Sequence, residues 1–576
     1  MNINKNSETA YEMFKSNLLK YKRYIFEGIG ATIVINMLAL ATSLFSMQVY
    51  DRVIPTHGLS TLVTLSMGVT VMIIFEFSMK MARSSIMDNV IVGLDNIYSR
   101  QIYKRLLSIR LDQMPSSVGS LSSQLKGYET IRTFLTASTL YLFVDTPFAI
   151  LYILLLAFIG SPWIALISFS FFITALSVGF WLKYKIKSHA TDSAKYNNIK
   201  VGELVETIQG AEIIKAGNGE RKFLARWMHT SKGAISNDLS MRHINENSSY
   251  IAALLQQLGY ASIIITGAFL VINGDMTMGA LIACTIISGR IMAPVAALPG
   301  LFTQMAHAKA ALEGLEQMYS LKTYHNEINN PLKPNQISGD YLISDLEYSY
   351  KEGTKVLGIE SFNINKGDKI AVVGSIGSGK STLLKVLSGM YIPQKGKILL
   401  DNLDISLIDR DLLSSRIGYM TQDNRLFQGT LKENLIIGQK DPGDEILRDI
   451  ATLTGLIQIV QSHPQGFELP ISEGGVGLST GQKQLVAITR LLINNPNIWL
   501  LDEPTASMDG QLENKVLKIL STTIKPEDTV VIVTHKPSIL SIVDKIMVLN
   551  AGKIAMFGNK NEVLSKLQSS IPTKEN

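Results

Sequence analysis

The first half of the chain is dominated by long apolar runs that contain no charged side chain. Such runs cover residues 28–50, 58–75, 146–182, 247–274 and, with interruptions at Arg290 and Pro294, 278–298. About 20 helical residues cross the hydrocarbon core of a bilayer. The run at 146–182 is long enough to cross twice, and the sequence GSPW at 160–163 predicts the hairpin that divides it. The pattern therefore predicts six membrane-spanning helices.

The segments between these runs alternate between short ones and long ones rich in Lys and Arg. The long segments are residues 80–132 and 183–242, and the N-terminal residues are basic too. Because basic residues collect on the cytoplasmic side, we expect both termini and both long segments there. Their mixed polar and apolar pattern predicts helices that extend the spans beyond the bilayer. A cleaved signal peptide is not expected, since the first run has span length and no clear small-residue cleavage site.

Composition indicates a membrane part joined to a soluble part. Hydrophobic residues make up 46% of the 576 residues and charged residues 18%, with a mean hydropathy of +0.19. The formal charge of +6 is compatible with nucleic-acid binding, but basic residues beside apolar spans explain it through membrane topology. The single cysteine, Cys284, excludes an intrachain disulfide framework and a cysteine-rich zinc site.

After Pro331 the pattern changes to short apolar strands separated by helical stretches. The predicted strands are YLISDLEYSY at 341–350, DKIAVVG at 368–374, NIWLLDEP at 497–504 and DTVVIVTH at 528–535. This alternation predicts a largely parallel α/β domain. We therefore divide the chain into a cytoplasmic N-terminal segment (1–24), a six-helix membrane domain (25–312), a linker (313–336) and an α/β domain (337–576).

A phosphate-binding loop, GSIGSGKS, follows the strand KIAVV and precedes a helical stretch. Its glycines let successive backbone N–H groups turn towards phosphate oxygens at a helix N-terminus. Lys380 would reach the β- and γ-phosphates and Ser381 would ligate Mg²⁺. The strand–loop–helix setting favours this interpretation over a glycine turn in a core. The predicted nucleotide-binding residues here are Gly374, Ser375, Ile376, Gly377, Ser378, Gly379, Lys380, Ser381 and Thr382.

An acidic pair ends the strand IWLLDEP. Asp502 is suited to hold Mg²⁺, directly or through water, and Glu503 to polarise the attacking water. A helix cap is the alternative reading of such a pair. His535 follows the strand TVVIVT, where it can contact the γ-phosphate, and Gln422 lies in the polar stretch YMTQDNRLFQGT. The last two residues carry little signal on their own.

In this order the second half resembles the ATP-binding cassette (ABC) ATPases. The resemblance implies ATP and Mg²⁺ as cofactors, with Lys380, Glu503 and His535 in catalysis and Ser381, Gln422 and Asp502 at the metal. It implies that Tyr350 stacks on adenine and that LSTGQ, with Ser479, Gly481 and Gln482, is the signature that covers ATP bound by a second copy. SMD at 507–509 matches the D-loop. Thr480 and Met508 depart from the usual residues, and a threonine side chain would narrow the approach to phosphate.

One cassette and one six-span half imply a half-transporter that acts as a homodimer. The stretches MQVYDRVIPTHGLSTL, FVDTPFAILYIL and SGRIMAPVAALP, with ISEGGVGLSTGQKQ in the cassette, resemble bacterial type I protein secretion transporters. That resemblance implies an inner-membrane protein that exports unfolded polypeptide with a periplasmic adaptor and an outer-membrane channel. A lipid or drug exporter is the alternative, and a non-transport ATPase that remodels nucleic acid is disfavoured by the six spans.

Two features of the membrane half leave alternatives open. Glu76, Asp145 and Arg290 are ionisable groups in or beside spans, which either line the polypeptide path or form structural pairs. The cytoplasmic stretch TIQGAEIIKAGNGERK at 207–222 is either a coupling helix that docks on a cassette or an ordinary helix–turn. About 25 residues precede the first span and Cys284 is the sole cysteine, so we expect no N-terminal cysteine peptidase and no inactive peptidase-like domain.

Overall fold

The computed structural model describes residues 9–115, 117–135, 137–324, 330–350 and 355–569. The predicted N-terminal segment and linker therefore lie partly outside the described residues. The chain divides into two compact units. The first runs to Ser108 and again from Pro115 to Leu321, and the second comprises Ile109–Met114 and the chain from Lys322 onward. The first unit is helical and the second is α/β, which is the predicted two-part fold.

The first unit contains long helices that match the apolar runs. Its helices are α1 (Ala10–Lys20), α2 (Lys22–Leu38), α3 (Leu40–Gln48), α4 (Ile54–Thr56), α5 (Leu59–Ser108), α6 (Val118–Phe134), α7 (Ala137–Ile159), α8 (Pro162–Gln209), α9 (Ala211–Ala216), α10 (Glu220–Ile272) and α11 (Met278–Tyr319). Among the described residues, five segments are long and apolar enough to cross a membrane, and Asp145–Ile159 is a shorter apolar helix. Together these six correspond to the six predicted spans.

Three of these helices are far longer than a bilayer requires. The helices α5, α8 and α10 contain 50, 48 and 53 residues, or about 70–80 Å at 1.5 Å per residue. The hydrocarbon core takes only about 30 Å. The helices therefore extend well beyond it, as the charged segments predicted. The helix α11 continues through Pro294 and Pro299 and ends beyond residue 313, where the sequence predicted the linker.

The predicted hairpin at GSPW has a local cause. The helix α7 ends at Ile159, and α8 begins at Pro162, whose fixed φ suits the first position of a helix. The Ser161 hydroxyl accepts a hydrogen bond from the backbone N–H of Trp163 and so caps α8. The four residues thus stop one span and start the next.

The end of the first span has a feature that the apolar pattern did not predict. After α3 the chain forms a π-helix at Val49–Val53. There the Asp51 carboxylate accepts hydrogen bonds from the Thr277 hydroxyl and the Gly279 backbone N–H, each 2.7 Å long. A side chain at Gly279 would come within 2.6 Å of the Asp51 carboxyl group. The first apolar segment is therefore tied to the N-terminus of α11.

The second unit contains two main sheets and several helices. Its strands are β1 (Tyr341–Ser349), β2 (Lys355–Ile364), β3 (Lys369–Gly374), β4 (Lys395–Leu400), β5 (Leu403–Asp404), β6 (Ile417–Met420), β7 (Gly429–Thr430), β8 (Pro470–Ile471), β9 (Ile498–Asp502), β10 (Thr529–Val533), β11 (Lys545–Asn550) and β12 (Lys553–Asn559). Its helices are α12 (Lys380–Leu387), α13 (Arg410–Arg416), α14 (Leu431–Leu435), α15 (Asp444–Thr454), α16 (Ile457–Gln461), α17 (Thr480–Asn494), α18 (Gly510–Thr523) and α19 (Lys560–Ser569).

The larger sheet positions the predicted site. Its strand order is β12-β11-β3-β10-β9-β6, with every neighbouring pair parallel except β11 and β12. Every residue of β9 and β10 is buried, which explains their continuous apolar sequences. Because the strands are parallel, the carboxyl ends of β3, β10 and β9 lie at one edge of the sheet. The phosphate loop, His535 and the acidic pair follow these three ends.

Two parts of the second unit were not predicted. The first is the antiparallel sheet β2-β1-β4-β5, of which the sequence indicated only β1. The second is the segment Ile109–Met114, which comes from within the charged stretch 80–132. There the backbone N–H of Arg110 donates to the carbonyl of Lys322, and the N–H of Leu111 donates to the Tyr324 hydroxyl. Such long-range partners have no local sequence signal.

Candidate active site

The phosphate loop joins β3 to α12 in a conformation that needs its glycines. Gly377 and Gly379 have φ angles of +79° and +98°, in the left-handed region that glycine adopts without strain. The Lys380 ammonium donates to the carbonyls of Gly374 and Ser375, at 2.8 and 2.9 Å. The Lys380 side chain therefore links the two ends of the loop and lies beside the loop backbone.

The rest of the loop divides between exposed and buried positions. Ile376 projects from its tip and is almost fully exposed. The Ser378 hydroxyl is buried and has no hydrogen-bond partner among the described residues. A buried hydroxyl without a partner is costly in a core, whereas in a phosphate cradle it is a donor for a ligand. The loop thus has the features expected of an anion site.

The Asp502 carboxyl group lies against the start of α12. It is only 4% exposed and shares a hydrogen bond with Ser381. Burial raises the pKa of Asp502 above its usual value, although the Ser381 hydroxyl and the nearby Lys385 and Lys380 ammonium groups act in the opposite direction. A bound cation would offset the free-energy cost of burying the ionised carboxylate. The carboxylate and hydroxyl oxygens are the ligand types that Mg²⁺ prefers, so the residues present fit this ion.

Glu503 lies at the centre of the predicted catalytic residues. Its carboxylate oxygens lie 3.3 Å from the side-chain nitrogen of Gln422 and 3.7 Å from Nε2 of His535. Its φ angle is +49°, which is strained for a residue with a side chain and typical of functional positions. The backbone is held there because its N–H donates to the carbonyl of Val533. The structure therefore brings Gln422, Glu503 and His535 together from three separate stretches of sequence.

Tyr350 belongs to a cluster of three tyrosines beside α12. Its hydroxyl lies 2.9 Å from the Thr382 hydroxyl, and its ring meets the rings of Tyr348 and Tyr391 edge-on. The ring of Tyr350 remains about half exposed. An exposed aromatic ring next to the phosphate loop is placed to stack on a nucleotide base, as the resemblance implies.

The predicted signature residues form a helix cap. The Ser479 hydroxyl accepts from the Gln482 backbone N–H at 3.2 Å, and the Gln482 side chain accepts from the Ser479 N–H at 2.8 Å. This capping box starts α17. Thr480 is exposed at the first helical position. Among the described residues, no hydrogen bond joins this turn to residues 374–382.

The D-loop lies beside the signature turn. A side chain at Gly481 would lie 3.1 Å from the Ser507 carbonyl, so the small residue permits this approach. Asp509 caps α18 by accepting from the Leu512 backbone N–H. Met508 is buried in the hydrophobic core of the unit. Its departure from the usual small residue is therefore accommodated by packing.

Residues that the sequence did not single out support the acidic pair. The buried Gln484 amide donates to the Glu503 carbonyl at 2.9 Å and accepts from the Ser507 N–H at 3.0 Å. Gln484 closes the stretch LSTGQKQ, but nothing local distinguishes it from an ordinary helix residue. It connects α17 directly to the turn that follows Glu503.

A second support surrounds Glu513 on α18. The Lys536 ammonium donates to Glu513 and to the Thr505 carbonyl, both at 2.7 Å, and the Ser538 hydroxyl also bonds to Glu513. Burial would raise the pKa of Glu513, but the hydrogen bonds from Lys536 and Ser538 outweigh it and hold the pKa below its usual value. This network fixes the chain that follows His535.

The ionisable residues of the spans belong to the first unit. The Asp145 carboxylate accepts from the Asn36 amide at 2.7 Å, and Glu76 pairs with Lys80 one helical turn away. Arg290 forms no ion pair with a residue that the structure describes. The contacts of Asp145 and Glu76 fit structural pairs, one of the two alternatives that the sequence left open.

Two protein-family models match the chain. Residues 25–295 match the ABC transporter transmembrane region, and residues 357–506 match the ABC transporter family. The chain belongs to the ABC transporters. Both parts of the predicted family assignment are thereby confirmed, and the protein is an ATP-hydrolysing membrane transporter of the exporter type.

Known transporters are similar to this chain over nearly its whole length. The alpha-hemolysin translocation ATP-binding protein HlyB of Escherichia coli O157:H7 is 28% identical over 97% of this chain and 79% of its own length. The leukotoxin translocation ATP-binding protein LktB of Mannheimia haemolytica is 27% identical over 96% of this chain and 78% of its own length. A bacterial Atm1-family ABC exporter solved with ATP bound superposes with a TM-score of 0.84 at 19% identity, over 96% of this chain and 99% of that one. The last comparison supports the fold alone.

Proposed function

We propose that this transporter exports an unfolded polypeptide across a bacterial inner membrane, as the energising component of a type I secretion system. The observation that carries the proposal is the similarity to toxin-translocating proteins over 96–97% of the chain, in both units. The ATPase site alone would serve any exporter. Similarity that extends through the membrane unit bears on what is moved.

The arrangement at the sheet edge suggests how each residue acts. Lys380 and the loop amides would hold the β- and γ-phosphates, and Glu503 would take the proton of the attacking water. Gln422 and His535 would orient that water and the γ-phosphate around the Glu503 carboxylate. Ser381 and Asp502, with Gln422, would hold Mg²⁺, which when bound neutralises developing charge on the phosphates. The strained backbone at Glu503 fixes the base before ATP arrives.

The signature turn supports a homodimeric site. Ser479 and Gly481 lie at the N-terminus of the 15-residue helix α17, which favours an anion. Within one chain this turn has no hydrogen bond to the described residues of the phosphate loop. A second copy would place its signature turn over the first copy's ATP. Binding of ATP would then favour the closed dimer, and hydrolysis would release it.

We also propose that the short helix α9 transmits this closure. It lies between the long helices α8 and α10, within the stretch 207–222 that the sequence indicated. Its sequence, AEIIKA, includes the exposed Ile213. Rigid helices on both sides would carry its movement to the spans.

Deletion of the gene tests the proposal. We expect a polypeptide to disappear from the medium, with the same loss when a co-encoded adaptor or outer-membrane channel is removed. A changed sensitivity to drugs or a changed lipid composition, with all secreted polypeptides intact, would instead indicate the lipid or drug exporter. Fractionation of the protein with the inner membrane checks its location.

A further inference from the structure

The span of α10 carries polar side chains on a face that the described residues leave exposed. Gln256 and Gln257 are exposed, and Tyr260 is 50% exposed. They lie inside the uncharged run 247–274, about 14–20 Å from its start and about 21–27 Å from its end at 1.5 Å per residue. Neither amide has a hydrogen-bond partner among the described residues. An amide in contact with lipid tails is unfavourable, so this face must meet water or protein.

A cavity lies against these amides. Its volume is about 280 Å³, and it is lined by Ala253, Gln256, Gln257 and Tyr260 of α10 and by Ser288 and Gly289 of α11. Since one water in the liquid takes about 30 Å³, the cavity has room for several waters or a few side-chain groups. Apart from the adjacent residues and backbone of its own helix, no described atom lies within 4 Å of a Cβ built at Gly289. The cavity therefore opens beside the glycine of SGRIMAPVAALP, one of the stretches that carried the resemblance.

The other faces of α10 have the residues expected of a lipid-facing surface and of a helix-packing surface. Leu254, Leu258 and Ile265 are exposed apolar residues, and Leu258 lies about 200° around the helix from Gln256. The buried face carries Ser248, Ala252, Gly259, Ile263 and Gly267. Gly259 lies against the Phe171 ring of α8. The small residues that membrane helices use to pack together are thus already occupied within this chain.

We propose that Gln256, Gln257 and Tyr260, with Gly289 opposite, form a polar surface along which the exported polypeptide passes in an extended form. This inference rests on the proposed function. A glutamine offers two N–H donors and a carbonyl acceptor, which match the N–H and C=O groups of an extended peptide backbone. Uncharged amides recognise a backbone without selecting its sequence, and Tyr260 offers apolar contact to passing side chains. A contact with a second copy would be expected to use the small residues instead.

Cysteine labelling tests whether this face meets water. Because the only native cysteine, Cys284, is buried, a Cys284→Ala background permits single cysteines at Gln256, Gln257 and Tyr260, with Leu254, Leu258 and Ile265 as controls. We expect a membrane-impermeant maleimide to label the first set about tenfold faster in inverted membrane vesicles, since a thiol in lipid does not form the reactive thiolate. Equal rates in the two sets, or a disulfide between two copies at Gln257→Cys, would overturn the proposal.

Filling the cavity tests whether polypeptide passes through it. Gly289→Leu adds a side chain where space is open, and Gly300→Leu is the matched control, because that exposed glycine of α11 also has no described atom near a built Cβ and does not line the cavity. We expect Gly289→Leu to lower secretion at least about tenfold, with both variants present in the membrane at wild-type amounts. Equal secretion by the two variants would overturn the proposal.

Photocrosslinking identifies the occupant. A benzophenone amino acid at Gln257, but not at Leu258, should capture the same polypeptide that deletion of the gene removes from the medium. If deletion of the gene removes no polypeptide from the medium, the proposed function is wrong, and so is the proposal that a polypeptide occupies this surface. If secretion is present but the adduct forms equally at both positions, the path is wrong and the proposed function stands.

Discussion

Two carboxylates of the membrane unit differ from Glu503 of the ATPase unit in how tightly their partners hold them. In the membrane unit, Asp51 and Asp145 accept hydrogen bonds of 2.7 Å from neutral donors. In the ATPase unit, Glu503 has neighbours at 3.3 and 3.7 Å, on a strained backbone. Short bonds to neutral donors complete a carboxylate's hydrogen bonding, whereas loose neighbours leave it able to take a proton. The comparison supports the proposal that Glu503 is the catalytic base, whereas Asp51 and Asp145 fit structural roles.

Replacing Glu503 by glutamine is expected to have the largest effect. The amide keeps the shape but cannot accept the proton of water, so steady-state ATP hydrolysis should fall by about 10²–10⁴-fold while ATP stays trapped in the site. Asp145→Asn is the matched variant from the membrane unit, and its ATPase rate should stay within about twofold. Near-normal hydrolysis by Glu503→Gln would remove this residue as the catalytic carboxylate.

Removing the Asp51 carboxylate should destabilise the membrane unit. Asp51→Ala leaves the Thr277 hydroxyl and the Gly279 N–H without their acceptor, which should cost roughly 1–3 kcal/mol of unfolding free energy. Thermal unfolding of the purified transporter in detergent measures this. Asp275→Ala is the control, since that exposed side chain forms no hydrogen bond with a described residue. Identical melting of both variants would mean that the Asp51 contact does not stabilise the fold.

The hydrogen bonds around Glu513 predict that the ATPase unit loses stability at low pH. Because the folded-state pKa of Glu513 lies below its ordinary 4.5, its stabilisation is complete above that pH and is lost as pH falls through the lowered pKa. Glu513→Gln should lower the free energy of unfolding by roughly 1.5–3 kcal/mol at neutral pH. The variant should also lose less stability than the wild type as the pH falls. Unfolding free energies of the wild type and the variant, measured from pH 7 to 3, test this prediction. The same pH dependence in both proteins would contradict the role given to Glu513.

Replacing Thr480 by glycine should have the smallest effect. The residue is exposed and follows the Ser479 cap, so its side chain does not enter the described part of the phosphate site. The ATPase rate should change by less than about twofold, the range expected of a surface substitution. A larger increase would show that Thr480 restrains turnover in the proposed dimer.

The parts that could be predicted from the sequence were those with local or periodic signals. Uncharged runs predicted the spans because a bilayer excludes charge over a fixed length. The loop GSIGSGKS and the pair Asp502–Glu503 were identified because their chemistry requires particular residues in a short order. The roles of Gln422 and His535 depended on the family resemblance. Their approach to Glu503 arises from the order of strands in the sheet.

What the sequence did not show depends on partners far along the chain. Gln484, Glu513 and Lys536 support the catalytic turn through contacts that no spacing rule predicts. The segment Ile109–Met114 belongs to the second unit although it lies within a charged stretch of the first half. The exposed face with Gln256 and Gln257 was hidden because two amides do not interrupt an apolar run. Only the three-dimensional arrangement distinguishes such a face from a lipid-facing one.

The Asp51 contact also has a consequence for the time course of synthesis. Its partner Thr277 lies 226 residues later in the chain. At about 5–20 residues per second, the ribosome needs roughly 10–50 s to add them. During that interval the first span has a carboxylate at its end whose permanent donors do not yet exist, and water must solvate it. This link between the first span and the last therefore forms only when the last span begins to emerge.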